Sequence, residues 1–492
     1  MPPLTNTIIY LIFISFLLIP TKTTANDQSF IQILITQNGL DFIKNLLISK
    51  AVSSLTPTSI SDIEKAVKIP VIGKVDILLS DIVINKVNVG SSGVRPSEGG
   101  VSIVGSDFSC DLSVKWHYSY GTWVGPISIS DSGTASVEVN GMEIGIALGL
   151  DNQDGSLKLS MMECNCQIQD ISINLDGGAS WLYQGIVNAF KEEIVSAVEK
   201  AITKKLKTEV SELGSILQTL PRHIPVDDTS SLNVTLVNSP FLSDTSLGFE
   251  INGLFVESKT DPRAYHNHLQ PPLACSDPPK MVGIALDEAV FKSASALYYD
   301  ATFMHWIVDK VPDQSLLNTA GWRFIVPQLY KKYPNADMNL DISLSNPPVV
   351  QISSQKIGAT VYADLIIDVL KGDETIPVAC ISLVIAGTGS VQISRNNLTG
   401  HLKMDDFTMT LKWSKIGTLH MFLIQPVIWT MIETVFIPYV NARLGTGFPL
   451  PIIHGFLLEN AEIISSDSRI TVCSDVSYEE SVDSSQTGFY TS

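Results

Sequence analysis

The chain has 492 residues, 45% of them hydrophobic and 17% charged, with a net charge of −18. That length allows two or more domains, and the charged share falls below the roughly 25% of an average soluble domain. More apolar surface than usual must therefore be hidden in a core, in a membrane or around an apolar ligand, and no basic and aromatic array points to nucleic acid.

Residues 1–25 read as a secretory signal: an apolar run from Ile8 to Ile19, then Thr23-Thr24-Ala25 as a small-residue cleavage site. The run is short for a membrane span of about 20 residues. Residues 31–69 carry helical spacing (Ile35, Leu40, Ile43, Leu46, Leu47, then Ile60, Ile63, Val67), interrupted by Pro57 and ended by Pro70. Long alternating strands follow. Val75, Ile77 and Leu79 share one phase, as do Phe108, Cys110, Leu112, Val114 and Trp116, and again Met142 to Leu150 at every second residue. Asp154-Gly155 marks a hairpin. Cys164, Cys166 and Ile168 keep one phase and Ile171, Ile173 and Leu175 the other, which predicts a bulge near Asp170.

Residues 181–220 predict one long amphipathic helix. Leu182, Ile186, Phe190, Ile194, Val198, Ile202 and Leu206 recur every fourth residue, and Pro221 stops the run. Strands are predicted over 232–237 and 247–256, then a Pro-rich linker over 261–279. The order then repeats in outline: a helix-like stretch over 284–308, strands over 338–344, 357–369 and 407–413, and a second apolar helix over 419–444, read as packed on a sheet rather than spanning a membrane. The tail 474–492 is Ser- and acid-rich and is expected to be disordered.

No Gly-x-Ser-x-Gly elbow, His-Glu-x-x-His pair or phosphate-cradling glycine loop occurs, so an enzyme is not expected, and neither a cofactor nor a metal site is predicted. Six cysteines and the sequons at Asn233 and Asn397 suit a secreted, glycosylated protein. Cys110 shares its strand phase with apolar residues, and a bond to Cys164 or Cys166 is open.

Several stretches together carry a resemblance. They are Gln37-Asn38-Gly39-Leu40-Asp41-Phe42, Ile69-Pro70, Gln218-Thr219-Leu220-Pro221, Lys331-Lys332-Tyr333-Pro334-Asn335 with Pro347-Pro348, and Gly447-Phe448-Pro449-Leu450-Pro451. In this order, across nearly the whole chain, the sequence resembles the bactericidal/permeability-increasing and lipopolysaccharide-binding protein family, and most of all its plant members. The resemblance implies an α+β fold, an elongated boomerang of two tubular lipid-binding domains. Each would be a long helix wrapped by a twisted antiparallel sheet, and a central sheet would join them. The implied division is a signal peptide (1–25), an N-terminal lipid-binding barrel (26–240), a central strand and linker (241–279), a C-terminal barrel (280–473) and a tail (474–492).

The same resemblance implies binding of bacterial lipopolysaccharide at the outer-membrane surface in innate defence, with phospholipid carriage as the alternative. Acyl chains would meet Leu182, Ile186 and Phe190. The head group would meet a tip holding Lys68, Lys74, Lys115, Trp116, Tyr118, Tyr120 and Trp123. Trp116 shares its strand's inward phase, so a core role stands beside the interface role. Two departures from the family pattern are visible. Residues 198–203 lack the helix cysteine that the family pairs with a strand cysteine, which leaves Cys110 as the substitute partner, and the tip loop has a single Lys.

Overall fold

The computed structural model describes residues 28–479 apart from 70–71, 123–126, 177–179, 258–264, 267–274, 276–278, 302–303 and 312. The predicted signal segment, most of the Pro-rich linker and residues 480–492 lie outside the described residues.

The first half is built on very long strands. Gly100–Gly121, Ser128–Gln153 and Ser156–Asp176 run 22, 26 and 21 residues. In sheet order they follow Thr58–Ile60 and Gly73–Asn88, with Ile63–Ile69 and Ser91–Ser97 pairing on the side. Antiparallel strands this long accumulate right-handed twist and cannot stay flat. The inner face is apolar: Val75, Ile77, Leu112, Val114, Val137 and Val139 are all buried.

The helix α1 spans Gln37–Leu55 and α2 spans Ser180–Thr219. At 40 residues, α2 is about 60 Å long. It buries Phe190, Ile194, Val198, Ile202 and Leu206 at every fourth position against the sheet's inner face. Its flanks touch both margins of the sheet. On one side Lys65 of Ile63–Ile69 donates to Ala189 O at 2.9 Å and pairs with Glu193. On the other, Lys191 meets Asp170 at 3.1 Å and Glu199 accepts the Ile168 amide at 3.1 Å. The helix thus closes a curved sheet into a tube.

The second half repeats the plan. Its sheet order is His305–Val308, Asp337–Leu344, Ile357–Lys371, Glu374–Ser394, Asn397–Ser414, Phe448–Pro449, with Val349–Ile352 on the side. Two shorter helices precede the closing one, α3 (Glu288–Asp300) and α4 (Pro327–Lys332). Closure comes from α5 (Met421–Met431), a π turn (Ile432–Phe436) and α6 (Ile437–Thr446). The Ile437 amide bonds back to Ile432 O immediately before Pro438, which has no amide to give, so the predicted single helix carries a π turn there. Asn441 ties α6 to Leu402 through both backbone groups, at 2.7 and 2.9 Å, while Trp306 on the opposite margin packs on Phe436 and Tyr439.

Between the tubes lies a six-stranded antiparallel sheet, ordered Phe241–Ser243, Ser246–Ile251, Ile31–Thr36, Val282–Asp287, Arg469–Tyr478, Phe456–Ser466. Three strands come from each half. Cys275 is disulfide-bonded to Cys473 on this sheet.

Four expectations change. Residues 58–69 are strands, not helix. Ile63 and Val67 mimic a helical stripe but, with Ile69, face inward from a strand paired in register with Gly73–Asn88. The stretch 284–308 is strand, helix, strand, because Asp287 caps α3 by accepting the Ala289 amide at 2.8 Å and so starts the helix four residues late. Pairing runs in unbroken register through Asp170. The phase slip is shared with the neighbouring strand at Gly141 (φ +63°), and the register shift lies between Ala147 and Leu148 instead. Finally, Arg469–Tyr478 continues past Ser474, which is fully buried and donates its hydroxyl to Glu459 O at 2.8 Å, so the expected tail begins later.

Candidate functional site

One end of the N-terminal tube gathers the predicted tip. The turn between Ile63–Ile69 and Gly73–Asn88 and the turn between Gly100–Gly121 and Ser128–Gln153 lie at the same end, since Asp76 pairs with Ser119 and Gly121 with Ser128. Lys68 and Lys74 sit opposite each other across the first hairpin, and both are exposed. Like charges so placed repel, and Asp76 offsets Lys74 at 2.9 Å. Lys115 lies farther up its strand and pairs with Asp81 at 2.9 Å, whose hydrogen bond raises the Lys115 pKa. Lys65 is held by Glu193, whose carboxyl is pushed down by that contact.

The aromatic residues fall elsewhere than the tip reading requires. Trp116 and Tyr118 are 2% and 6% exposed on the inner face. Trp116, Tyr118 and Tyr120 occupy every second position and stack, with centroids 5.8 and 6.3 Å apart. The Trp116 indole N–H donates to Thr134 O at 3.0 Å. They form an interior ladder whose half-buried last rung, Tyr120, approaches the tip. Trp123 lies outside the described residues, as do the side chains of Leu182 and Ile186, whose backbone forms the first turns of α2. Phe190 is 1% exposed and faces the same interior. Two tip residues were missed. Ile127 and Ile129 are 59% and 42% exposed beside the second turn. Ile129 lies opposite Tyr120 and keeps the phase of the buried Ala135 and Val137, so its exposure comes from its place at the end of the sheet, which alternation alone does not show.

A groove of about 840 Å³ runs along the seam between Ser156–Asp176 and α2. It is open to solvent and lined mainly by polar residues. Cys164, Cys166, Glu199, Thr203, Lys204 and Lys207 are among its walls. The strand is the sheet's margin, so side chains of the helix take the place of a strand ladder there. Burial raises the Cys164 pKa, and the Lys207 charge and the Thr203 hydroxyl only partly oppose it. Burial, and then the Glu199 charge, push the Cys166 thiol up to about 12; burial, then Asp111, does the same for Cys110.

The expected bridge from Cys110 to Cys164 or Cys166 does not form: all three are free thiols. The strand Ser128–Gln153 runs between the strands that carry them, with Cys110 opposite Val139 and Cys166 opposite Ile144. Two strand spacings of about 4.8 Å exceed what a disulfide spans. The sequon Asn233 is half-buried and accepts from the Thr235 amide and hydroxyl, and Asn397 is half-buried at a hairpin end. Among the described residues no group of three or more His, Cys, Asp or Glu could hold a metal ion.

Comparison with known proteins places this architecture. The N-terminal domain model of the LBP / BPI / CETP family matches residues 39–220, and the C-terminal domain model matches residues 225–478. A BPI/LBP family protein of Arabidopsis thaliana is 55% identical over 480 residues, covering 97% of this chain and 98% of its own. A bactericidal permeability-increasing protein of Sebastes schlegelii is 25% identical, covering 94% and 97%. Human lipopolysaccharide-binding protein is 25% identical, covering 85% and 87%. The crystal structure of a lipopolysaccharide binding protein superimposes with a TM-score of 0.64 at 22% identity, over 92% of this chain and 99% of that one, which shows the shared fold.

Proposed function

Because this chain belongs to the LBP/BPI/CETP family, we propose that it is a secreted, non-enzymatic lipid-binding protein that takes up bacterial lipopolysaccharide in innate defence. The acyl chains enter the N-terminal tube and the phosphorylated head group stays at its tip. The observation that supports this most is the tube interior. One helix face and one sheet face meet there through a continuous cluster of apolar and aromatic side chains, from Phe190 to the Trp116–Tyr118 ladder.

Energetics favour the chains over the charges. Burying an acyl chain yields about 0.8 kcal/mol per CH₂, roughly 8–10 kcal/mol gross for twelve carbons. A hydrogen bond to a charged group adds about 1.5–3 kcal/mol. Exposed charges act only within a Debye length of about 8 Å in physiological salt, so the chain's −18 does not bar an anionic lipid. Lys68, unpaired among the described residues, and Lys74 face the head group, and Ile127 and Ile129 enter the membrane margin beside Tyr120. The seam along α2 is the side door through which chains pass, because polar side chains rather than a backbone ladder hold it shut.

One observation favours the second reading, a phospholipid carrier without preference for lipopolysaccharide. Lys65, Lys74 and Lys115 are each neutralised by a carboxylate, which leaves little basic charge for phosphates. Equilibrium binding to lipopolysaccharide and to phosphatidylcholine vesicles, each at two salt concentrations, separates the two. Preferential lipopolysaccharide binding with a shallow salt dependence supports the defence reading. Equal binding to both establishes the carrier.

A further inference from the structure

The two closing helices do the same work inside and differ outside. The outer face of α2 carries exposed charge, including Lys191, Glu192, Lys200 and Lys204. The outer face of α5 is mostly apolar and carries no charge: Phe422 is 69% exposed, and Leu423, Pro426 and Trp429 are exposed with it beside the neutral Gln425 and Thr430. Met421–Thr446 is long and apolar enough to cross a membrane by length and composition, yet only 28% of its most apolar stretch is buried. It cannot span here, because Ile424, Ile428, Met431, Ile432 and Ile437 pack into the sheet and Asn441 is tied to Leu402. The helix lies flat with its greasy side outward.

The loops at its N-terminal end add to this face. Lys332 donates to Lys415 O at 3.3 Å, which brings the α4 segment against the approach to α5. That end shows Phe324, 78% exposed under Arg323, and Trp413 under Lys415. Arg323, Lys331, Lys332 and Lys415 therefore surround exposed rings. Among the described residues, only Asp364 of the nearby carboxylates is paired with a cation. Asp313 caps the turn Gln314–Leu317, Asp337 accepts from Asn318 and Asp364 from Lys412. Asp373 and Glu374 share their hairpin with Lys371. The six cations named here, Arg323, Lys331, Lys332, Lys371, Lys412 and Lys415, stand against five carboxylates, so this end is near neutral on a chain of net charge −18.

We infer that the outer face of α5, with Phe324, Trp413 and the surrounding cations, is a second membrane-docking surface that lays the C-terminal tube on an anionic lipid bilayer. Apolar and aromatic groups ringed by Lys and Arg are what a helix in the plane of a membrane interface presents. A second copy of the chain is the competing occupant, and the oligomeric state in solution distinguishes it. The inference goes beyond the lipid uptake proposed for the N-terminal tube and does not rest on it.

The test is partition of the full-length mature protein onto phosphatidylcholine–phosphatidylglycerol vesicles and onto pure phosphatidylcholine vesicles. Phe324 and Phe422 are exposed, so a Phe324→Ser, Phe422→Ser variant keeps the wild-type unfolding temperature. It is expected to lose on the order of tenfold to a hundredfold in partition onto both vesicles. A Lys331→Glu, Lys415→Glu variant is expected to weaken only on the anionic vesicles and to flatten the salt dependence. Trp429→Phe should reduce tryptophan quenching by bromine-labelled acyl chains. Wild-type partition of the two double variants overturns the inference. So does a wild-type dimer in solution that the Ser variant dissociates, since the face would then be a self-interface. Lipopolysaccharide binding by the Ser variant is measured alongside. A loss of vesicle partition with lipopolysaccharide binding retained separates this surface from the N-terminal site, whereas loss of lipopolysaccharide binding with vesicle partition intact overturns the docking role.

Discussion

The seam between α2 and the strand Ser156–Asp176 can be locked by one substitution. Thr203 and Cys164 both line it, so Thr203→Cys places a further thiol at the seam. Oxidation would close a loop of about 40 residues between positions 164 and 203. The chain-entropy relation gives about 4 kcal/mol for a loop of that length, an upper value because strain subtracts from it. The expected outcome is a variant with two fewer titratable thiols than its reduced form and an unfolding midpoint raised by several degrees, the gain vanishing on reduction. If lipid passes through this seam, the oxidised variant should load lipopolysaccharide more slowly than its reduced form, while wild type loads equally with and without mild reductant. The assay is the rate of uptake of a fluorescent lipopolysaccharide, with free thiols counted in each sample. Failure to oxidise refutes the seam geometry. Oxidation with full stabilisation and unchanged uptake refutes the side door and leaves the tip as the only entry.

Phe190→Ala should cost about 3–5 kcal/mol in denaturant unfolding, because the ring is 1% exposed between α2 and the sheet; a cost below 1 kcal/mol would mean that the tube is loosely packed there. Cys110 and Cys166, pushed up to about 12, hold roughly one part in ten thousand as thiolate at pH 8, so both should resist alkylation in the native state and react on unfolding, as mass spectrometry of labelled peptides would show. Asp227 joins the strand region near Ser230 to α3. Partial burial raises its pKa, but donation from the Tyr298 hydroxyl, the Thr229 amide and the Ser230 hydroxyl outweighs that and holds it at about 2. Its contribution is therefore full above the ordinary carboxyl value near 4 and is lost as pH falls through about 2. Tyr298→Phe should remove part of it, about 1 kcal/mol after allowance for solvent screening, visible as a smaller drop in stability between pH 5 and 2 than wild type shows.

Much of the fold was legible because both periods are strong. The fourfold spacing from Phe190 to Leu206 and the twofold spacing from Phe108 to Tyr118 give one buried face each. Ile63 and Val67 were misread because a four-residue spacing is also two strand steps, and only pairing with Gly73–Asn88 decides. The site was less legible. Strand phase already placed Trp116 inward, and Tyr118 follows it, but their proximity to Lys115 suggested a tip. What neutralises Lys65 is Glu193, 128 residues later in the chain, and no local pattern announces such a partner. The Cys275–Cys473 bond, separated by 198 residues, is hidden for the same reason.

The central sheet explains why two tubes occur in one chain. Ile31–Thr36 opens the first half and runs directly into α1; Val282–Asp287 opens the second and runs into α3. These two strands pair with each other, Ile33 opposite Ile284, and each is flanked on its outer side by a hairpin from its own half. The arrangement is that of a two-fold dimer joined by a linker. Neither half has a complete sheet alone, since separation would strip backbone partners from both opening strands. Duplication inside one chain frees the halves to differ, and they differ where symmetry is not needed. The inner faces of the closing helices stay apolar in both because each must fill a tube. The outer faces diverge, charged on α2 and uncharged and mostly apolar on α5. A symmetric homodimer would carry the same outer face twice; this chain can present one surface on its first half and a different one on its second.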